Sequence, residues 1–109
     1  YHWVEYPDFE REVRIVRMRV PQALDRLARQ VAGAVEALRG LNLYKPPGVA
    51  ETIDWAQALA AIGVSELDER SVLATLGTVL KYREDQDRTK AHGIADLVKH
   101  AFERGASPA

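Results

Sequence analysis

The sequence predicts an all-α protein, a compact bundle of about five helices with a short strand-like N-terminal arm. Three observations predict it. Apolar residues recur at steps of three and four along most of the chain, the spacing of one helix face. Proline and glycine fall where those stripes stop. The one strand-like run, Tyr1-His2-Trp3-Val4-Glu5-Tyr6, has no convincing second strand to pair with.

The arm comes first. The only methionine is Met18, so residue 1 is not a native translation start, and residues 1–6 read as the remnant of a sheet in a preceding domain. The first helix follows Tyr6-Pro7. Pro7 suits a first helical turn, and Asp8 and Glu10 complement the positive end of the helix dipole. Phe9, Val13, Val16 and Val20 form one stripe, widened by Ile15 and Met18. Arg14, Arg17 and Arg19 lie toward the negative end. Pro21 stops this helix and can open the next.

The second helix is expected from about Pro21 to Arg39, with Leu24, Leu27, Val31, Val35 and Leu38 as its core face and Gly40 as its cap. Its alanines favour helix and permit close neighbours. Leu41 to Gly48 is a loop, because Pro46-Pro47-Gly48 cannot continue a helix. A third helix runs from about Ala50 to Ile62, with Ile53, Ala56, Ala60 and Trp55, Leu59, Ile62 as apolar rows, and Gly63 ends it. Asp68 is a good N-cap for a fourth helix, whose buried side is Val72, Leu76, Val79, Leu73 and Leu80. Gly77 in its middle implies a close helix crossing. Lys81 to Arg88 is charged and is expected to fray into a loop. The fifth helix runs from about Thr89 to Arg104, with Ile94, Leu97, Val98, Ala101 and Phe102 inward and Gly105 as cap. Residues 1–105 thus form a single helical domain, and 106–109 a disordered tail.

Composition narrows the function classes. Fifteen basic and sixteen acidic residues leave a net charge of −1, which gives no general drive toward nucleic acid or anionic lipid. The absence of cysteine excludes disulfides, thiolate metal sites and a cysteine nucleophile. No apolar run approaches the roughly 20 residues of a membrane span, and no secretory signal is visible. A cytoplasmic protein fits these features.

Few residue patterns carry chemistry. Nothing matches G-x-x-x-x-G-K-[ST], and no apolar run ends in an acidic pair suited to magnesium. The chain alone is therefore expected to hold no catalytic residue and no ATPase activity. His92, Asp96 and His100 recur every four residues, but a fourth ligand is missing. They read as a solvated stripe opposite Ile94, Leu97 and Val98, and no metal site is expected. Arg11, Arg14, Arg17 and Arg19 are interleaved with Glu10 and Glu12, unlike the clustered basic face of a nucleic-acid binder. Of the aromatics Trp3, Tyr44, Trp55 and Tyr82, the two that flank the Pro-Pro-Gly turn, Tyr44 and Trp55, are candidates for contact with a partner or another domain. Packing is their ordinary alternative. Lys45-Pro46-Pro47-Gly48 stiffens the chain just before a helix N-terminus, which carries partial positive charge and free N–H groups. Glu51 and Asp54 favour that dipole with or without a ligand.

Taken in order, these residues resemble a known family. Tyr6-Pro7-Asp8-Phe9-Glu10-Arg11-Glu12, Ile15-Val16 and Val20-Pro21 are similar to the start of the C-terminal lid of MoxR-type AAA+ ATPases. Leu43 to Ala56, read as Leu-Tyr-Lys-Pro-Pro-Gly-Val-Ala-Glu-Thr-Ile-Asp-Trp-Ala, resembles the lid of a branch linked to carbon monoxide dehydrogenase maturation. Thr75-Leu76-Gly77 and Leu80-Lys81-Tyr82-Arg83-Glu84-Asp85 extend the likeness, which covers about residues 1–85. It implies a helical lid that closes over a nucleotide held by a separate core domain. ATP and magnesium would belong to that parent protein, with no cofactor in this chain by itself. The partners implied are the core domain, neighbouring subunits of a ring, and a client protein or metal centre. The residues that would face the nucleotide are Lys45, Pro47, Gly48, Val49, Glu51 and Thr52. Many such lids place an arginine at the start of this helix; here the stretch is Ala50-Glu51-Thr52, and Lys45 is a candidate cationic substitute. Two other readings stand beside the lid: a free-standing helical protein-interaction module and a small helix-turn-helix regulator.

Overall fold

A computed structural model of the chain describes residues 5–106. They form six helices: α1 (Phe9–Arg19), α2 (Asp25–Arg39), α3 (Val49–Ala61), α4 (Glu69–Val79), α5 (Arg83–His92) and α6 (Ile94–Ala106). There is no strand among the described residues. The strand expected over residues 1–6 lies mostly outside them, as do the last three residues of the expected tail.

Short-range chemistry sets most helix ends. The Asp8 carboxylate accepts the Arg11 N–H at 2.9 Å and caps α1, and Arg17 and Arg19 occupy its last turn. The second helix begins at Asp25, not at Pro21. Residues 21–24 form a turn in which the Ala23 N–H donates to the Val20 carbonyl, so Ala23 enters the core and Leu24 is left exposed. Asp68 and Ser71 cap α4 reciprocally: each side chain accepts the other's backbone N–H.

The largest correction concerns residues 81–92. From Arg83 onward the charged run is a helix and not a frayed loop. The Tyr82 carbonyl accepts from Asp85 and Gln86, Glu84 and Asp85 sit in the first turn, and Lys90 and His92 sit in the last. Its charges follow the helix dipole, and only Asp85 and Thr89 are buried. Gly93, at φ +119°, then separates α5 from α6, so the expected fifth helix is two. His92 consequently lies on a different helix from Asp96 and His100. No group of three or more His, Cys, Asp or Glu among the described residues is arranged to hold a metal ion.

α2 is the axis of the fold. Every residue from Gln30 to Val35 is buried, because α1, α3 and α6 all pack on it. Its most extensive neighbour is α6. A Cβ placed on Gly33 would stand 3.2 Å from both Cα and O of Ala101, so glycine permits this crossing. The crossing expected at Gly77 is absent: a Cβ there would meet only the Gln86 amide, at 3.8 Å. Gly105 lies within the last turn of α6 and does not cap it; its carbonyl accepts the Arg29 Nε–H at 2.8 Å. The guanidinium groups of Arg29 and Arg104 both lie over the Phe9 ring, at 5.3 and 4.3 Å from its centre.

The core stripes of α1 and α2 are largely where the periodicity puts them. Phe9, Val13, Val16 and Val20 are buried, as are Leu27, Val31, Val35 and Leu38. Met18, Ile62, Leu73 and Phe102, expected inside, are exposed. Each stands at an edge of its stripe or at a helix end. No helix among the described residues is long and apolar enough to cross a membrane.

Candidate functional site

Asn42, at φ +59°, turns the chain out of α2, a conformation asparagine tolerates better than most side chains. Leu43 and Pro47 are buried and pin the two ends of the loop that contains the Pro-Pro-Gly turn. Between them Tyr44 and Lys45 are exposed, yet their backbone is fixed. The buried Asp85 carboxylate accepts the Tyr44 N–H at 2.8 Å and the Lys45 N–H at 2.9 Å. A residue of α5 thus staples a loop 40 positions earlier.

The other end of the loop rests on a buried ion pair. Arg39 donates to both Glu12 oxygens, at 2.7 and 2.8 Å, in the two-pronged geometry that suits a guanidinium. Its Nε–H also donates to the Pro47 carbonyl at 2.8 Å. Thr52 Oγ1 donates toward Glu12 at 2.8 Å and toward the Gly48 carbonyl at 3.0 Å. Glu51 folds back to accept the Gly48 N–H at 2.9 Å. The Tyr6 ring lies against the Arg39 guanidinium, 4.0 Å from its carbon. Arm, α1, α2 and the start of α3 therefore meet at one charged cluster. Among the described residues, no fully buried side-chain nitrogen or oxygen lacks a partner.

The expected site residues separate into two groups. Lys45 is exposed, and Gly48, Val49 and Glu51 are partly so. Pro47 and Thr52 are turned inward and serve the cluster just described. Trp55 has no exposed surface; its Nε1–H donates to Thr75 Oγ1 at 2.7 Å, so of the two flanking aromatics only Tyr44, 77% exposed, offers surface. The aromatic beside Tyr44 is Tyr82, and with Glu84 the two line a cavity of about 380 Å³. Sequence spacing alone gave no sign of that pairing, which depends on the Asp85 staple.

A larger groove of about 560 Å³ runs between the arm and α3, lined by Tyr6, Pro7, Arg11, Ile15 and Val49 together with the carboxylates of Glu5 and Asp8. Val49 is the one expected site residue on its wall. Arg11 supplies its cation, a residue the sequence offered only as one of four scattered arginines. Comparison of the chain with protein-family models, curated proteins and solved structures returned no match.

Proposed function

We propose that the chain is the helical lid of a MoxR-type AAA+ ATPase, responsive to nucleotide but not catalytic by itself. One observation carries the reading: the Lys45–Val49 turn and the first turn of α3 are anchored by Arg39, Asp85 and Glu12, while Val49 lines an open groove beside them. A surface anchored this way is pre-organised for contact and loses little freedom on binding. The groove is bounded by the arm, which on this reading leads in from the core domain.

The residues present fit part of a nucleotide site. Exposed Lys45 and the groove's Arg11 are cations suited to phosphate oxygens, and neither Ala50 nor Thr52 supplies the arginine common in such lids. Glu5 and Asp8 disfavour a phosphate deep in the groove. No carboxylate cluster for magnesium occurs among the described residues. On this reading, magnesium ligands and the phosphate loop belong to the core domain, and this chain covers the nucleotide's outer edge.

The test uses the protein in which this chain follows its ATPase core. Lys45→Ala should weaken ATP binding or turnover severalfold, and Arg11→Ala should act in the same direction. Unchanged kinetics in both variants would remove the cationic role. Absence of any nucleotide effect on the amide signals of Lys45 and of Gly48 to Glu51 in that protein would remove the lid reading itself. A second reading, a protein-interaction module, is favoured by the exposed pair Tyr44 and Tyr82.

A further inference from the structure

The geometry points to Arg39 as a positioning residue that couples Tyr6 to the start of α3, so that a displacement of the Tyr6 ring alters the Pro-Pro-Gly turn. Arg39 makes three kinds of contact in different directions. It stacks on Tyr6 in the arm, it forks onto Glu12 in α1, and its Nε–H holds the Pro47 carbonyl. Glu12 in turn accepts from Thr52, in the first turn of α3. The path from Tyr6 to Thr52 is thus one ring, one guanidinium and one carboxylate long.

Tyr6, Pro7 and Asp8 line the 560 Å³ groove on one side and a second cavity of about 340 Å³ on the other. That second cavity is also lined by Glu12 and Arg39, so open space beside Tyr6 borders the coupling residues themselves. Tyr6 is 36% exposed, and its stacking on Arg39 is the contact of the arm that leads into the cluster. A guanidinium cannot follow a departing ring without changing its fork on Glu12 or its bond to Pro47, because its donors are fixed in one plane. The coupling stands on these contacts alone; its use as a nucleotide-linked hinge rests on the lid reading.

Amide hydrogen exchange on the whole chain tests it. Two reporters lie at the far end of the path: the Gly48 N–H on Glu51 and the Thr52 N–H on the Gly48 carbonyl. Tyr6→Ala should speed their exchange by about 2- to 5-fold, the factor equivalent to one lost cation–π contact at an exposed site. Tyr6→Phe keeps the ring and should leave them unchanged. The Ser71 N–H, capped by Asp68 on α4, should not respond to either. In an Arg39→Lys background the effect of Tyr6→Ala should disappear, since an ammonium group cannot replace the fork and the Pro47 bond together. Unaltered exchange at Gly48 and Thr52, equal acceleration at Ser71, or persistence of the effect without Arg39 would each overturn the coupling. If Arg39→Lys fails to fold, the comparison of Tyr6→Ala with Tyr6→Phe against the Ser71 control still decides. No nucleotide enters this measurement, so its failure is separate from failure of the lid reading, which nucleotide titration judges.

Discussion

Replacing glycine by alanine should have opposite effects at two helical positions of this chain. At Gly77 a new Cβ meets only the end of the Gln86 side chain, at 3.8 Å. The substitution then gains helix propensity with no steric cost, about 0.5–1 kcal/mol. At Gly33 the same methyl would stand 3.1 Å from Arg104 Cβ and 3.2 Å from the Ala101 backbone. That backbone belongs to α6 and cannot yield without moving the helix. Overpacking of this kind costs roughly 1–3 kcal/mol. Setting a propensity gain of about 1 kcal/mol against it leaves a net loss of up to about 2 kcal/mol. With about 4–8 °C per kcal/mol for a domain of this size, Gly33→Ala should melt lower than the parent by up to about 16 °C and Gly77→Ala higher by about 2–8 °C. Thermal unfolding followed by far-UV circular dichroism reads both. A Gly33→Ala variant that gains as much stability as Gly77→Ala would refute the close crossing at Gly33.

Other expectations follow from the clamps and caps. Asp85→Ala frees two loop amides and should cost about 2–3 kcal/mol in urea unfolding, with Asp85→Asn intermediate because it keeps one acceptor; both should speed exchange at Tyr44 and Lys45. Arg39→Ala leaves Glu12 buried without its charge partner and should cost about 3–5 kcal/mol by the same assay. Asp68 has its pKa lowered, first by the Ser71 backbone N–H and then by the Ser71 hydroxyl. A lowered folded pKa means that its contribution is complete above the unfolded value of 3.8 and is lost as pH falls through the folded value. The melting-temperature gap between the parent and Asp68→Asn should therefore be widest near neutral pH and close in acid. Glu10, lowered chiefly by its hydrogen bond from Arg29, should weaken over the same acid side, seen as a matching closure for Glu10→Gln.

The parts of the fold legible in the sequence are those set by near neighbours. The stripe Phe9, Val13, Val16, Val20 needs only helical spacing, and Asp68 needs only the next three residues to act as a cap. The parts that stayed hidden depend on distant partners. Lys81 to Arg88 looks like solvated loop because nothing in it alternates; its helix is held by Asp85 and Thr89, whose burial no local pattern reveals. Gly93 sits inside an otherwise helical pattern, where glycine is tolerated, and only its positive φ marks the break. The turn at Pro46-Pro47-Gly48 is plain in the residues, whereas its anchor is not. Arg39 reads as an ordinary helix-end cation until the fold brings Glu12, Pro47 and Tyr6 to it. Trp55 is on an apolar row and next to the turn at once, and Thr75 settles its direction by taking its N–H. Tyr82, which takes its place beside Tyr44, is nearly 40 residues away in sequence.

The packing of α6 on α2 bears on how the chain can be divided. The resemblance proposed from the sequence ends near Asp85, so a boundary drawn from that proposal would discard everything after the first turn of α5. Such a shortened protein would lose the helix that covers α2 around Gly33, together with the carbonyl that Arg29 holds. The exposed valines and alanines of a central helix would then face water, a surface that invites aggregation. The stretch on which the proposed resemblance rests and the stretch that packs are different lengths, and the longer one, reaching Gly105, encloses its own interior.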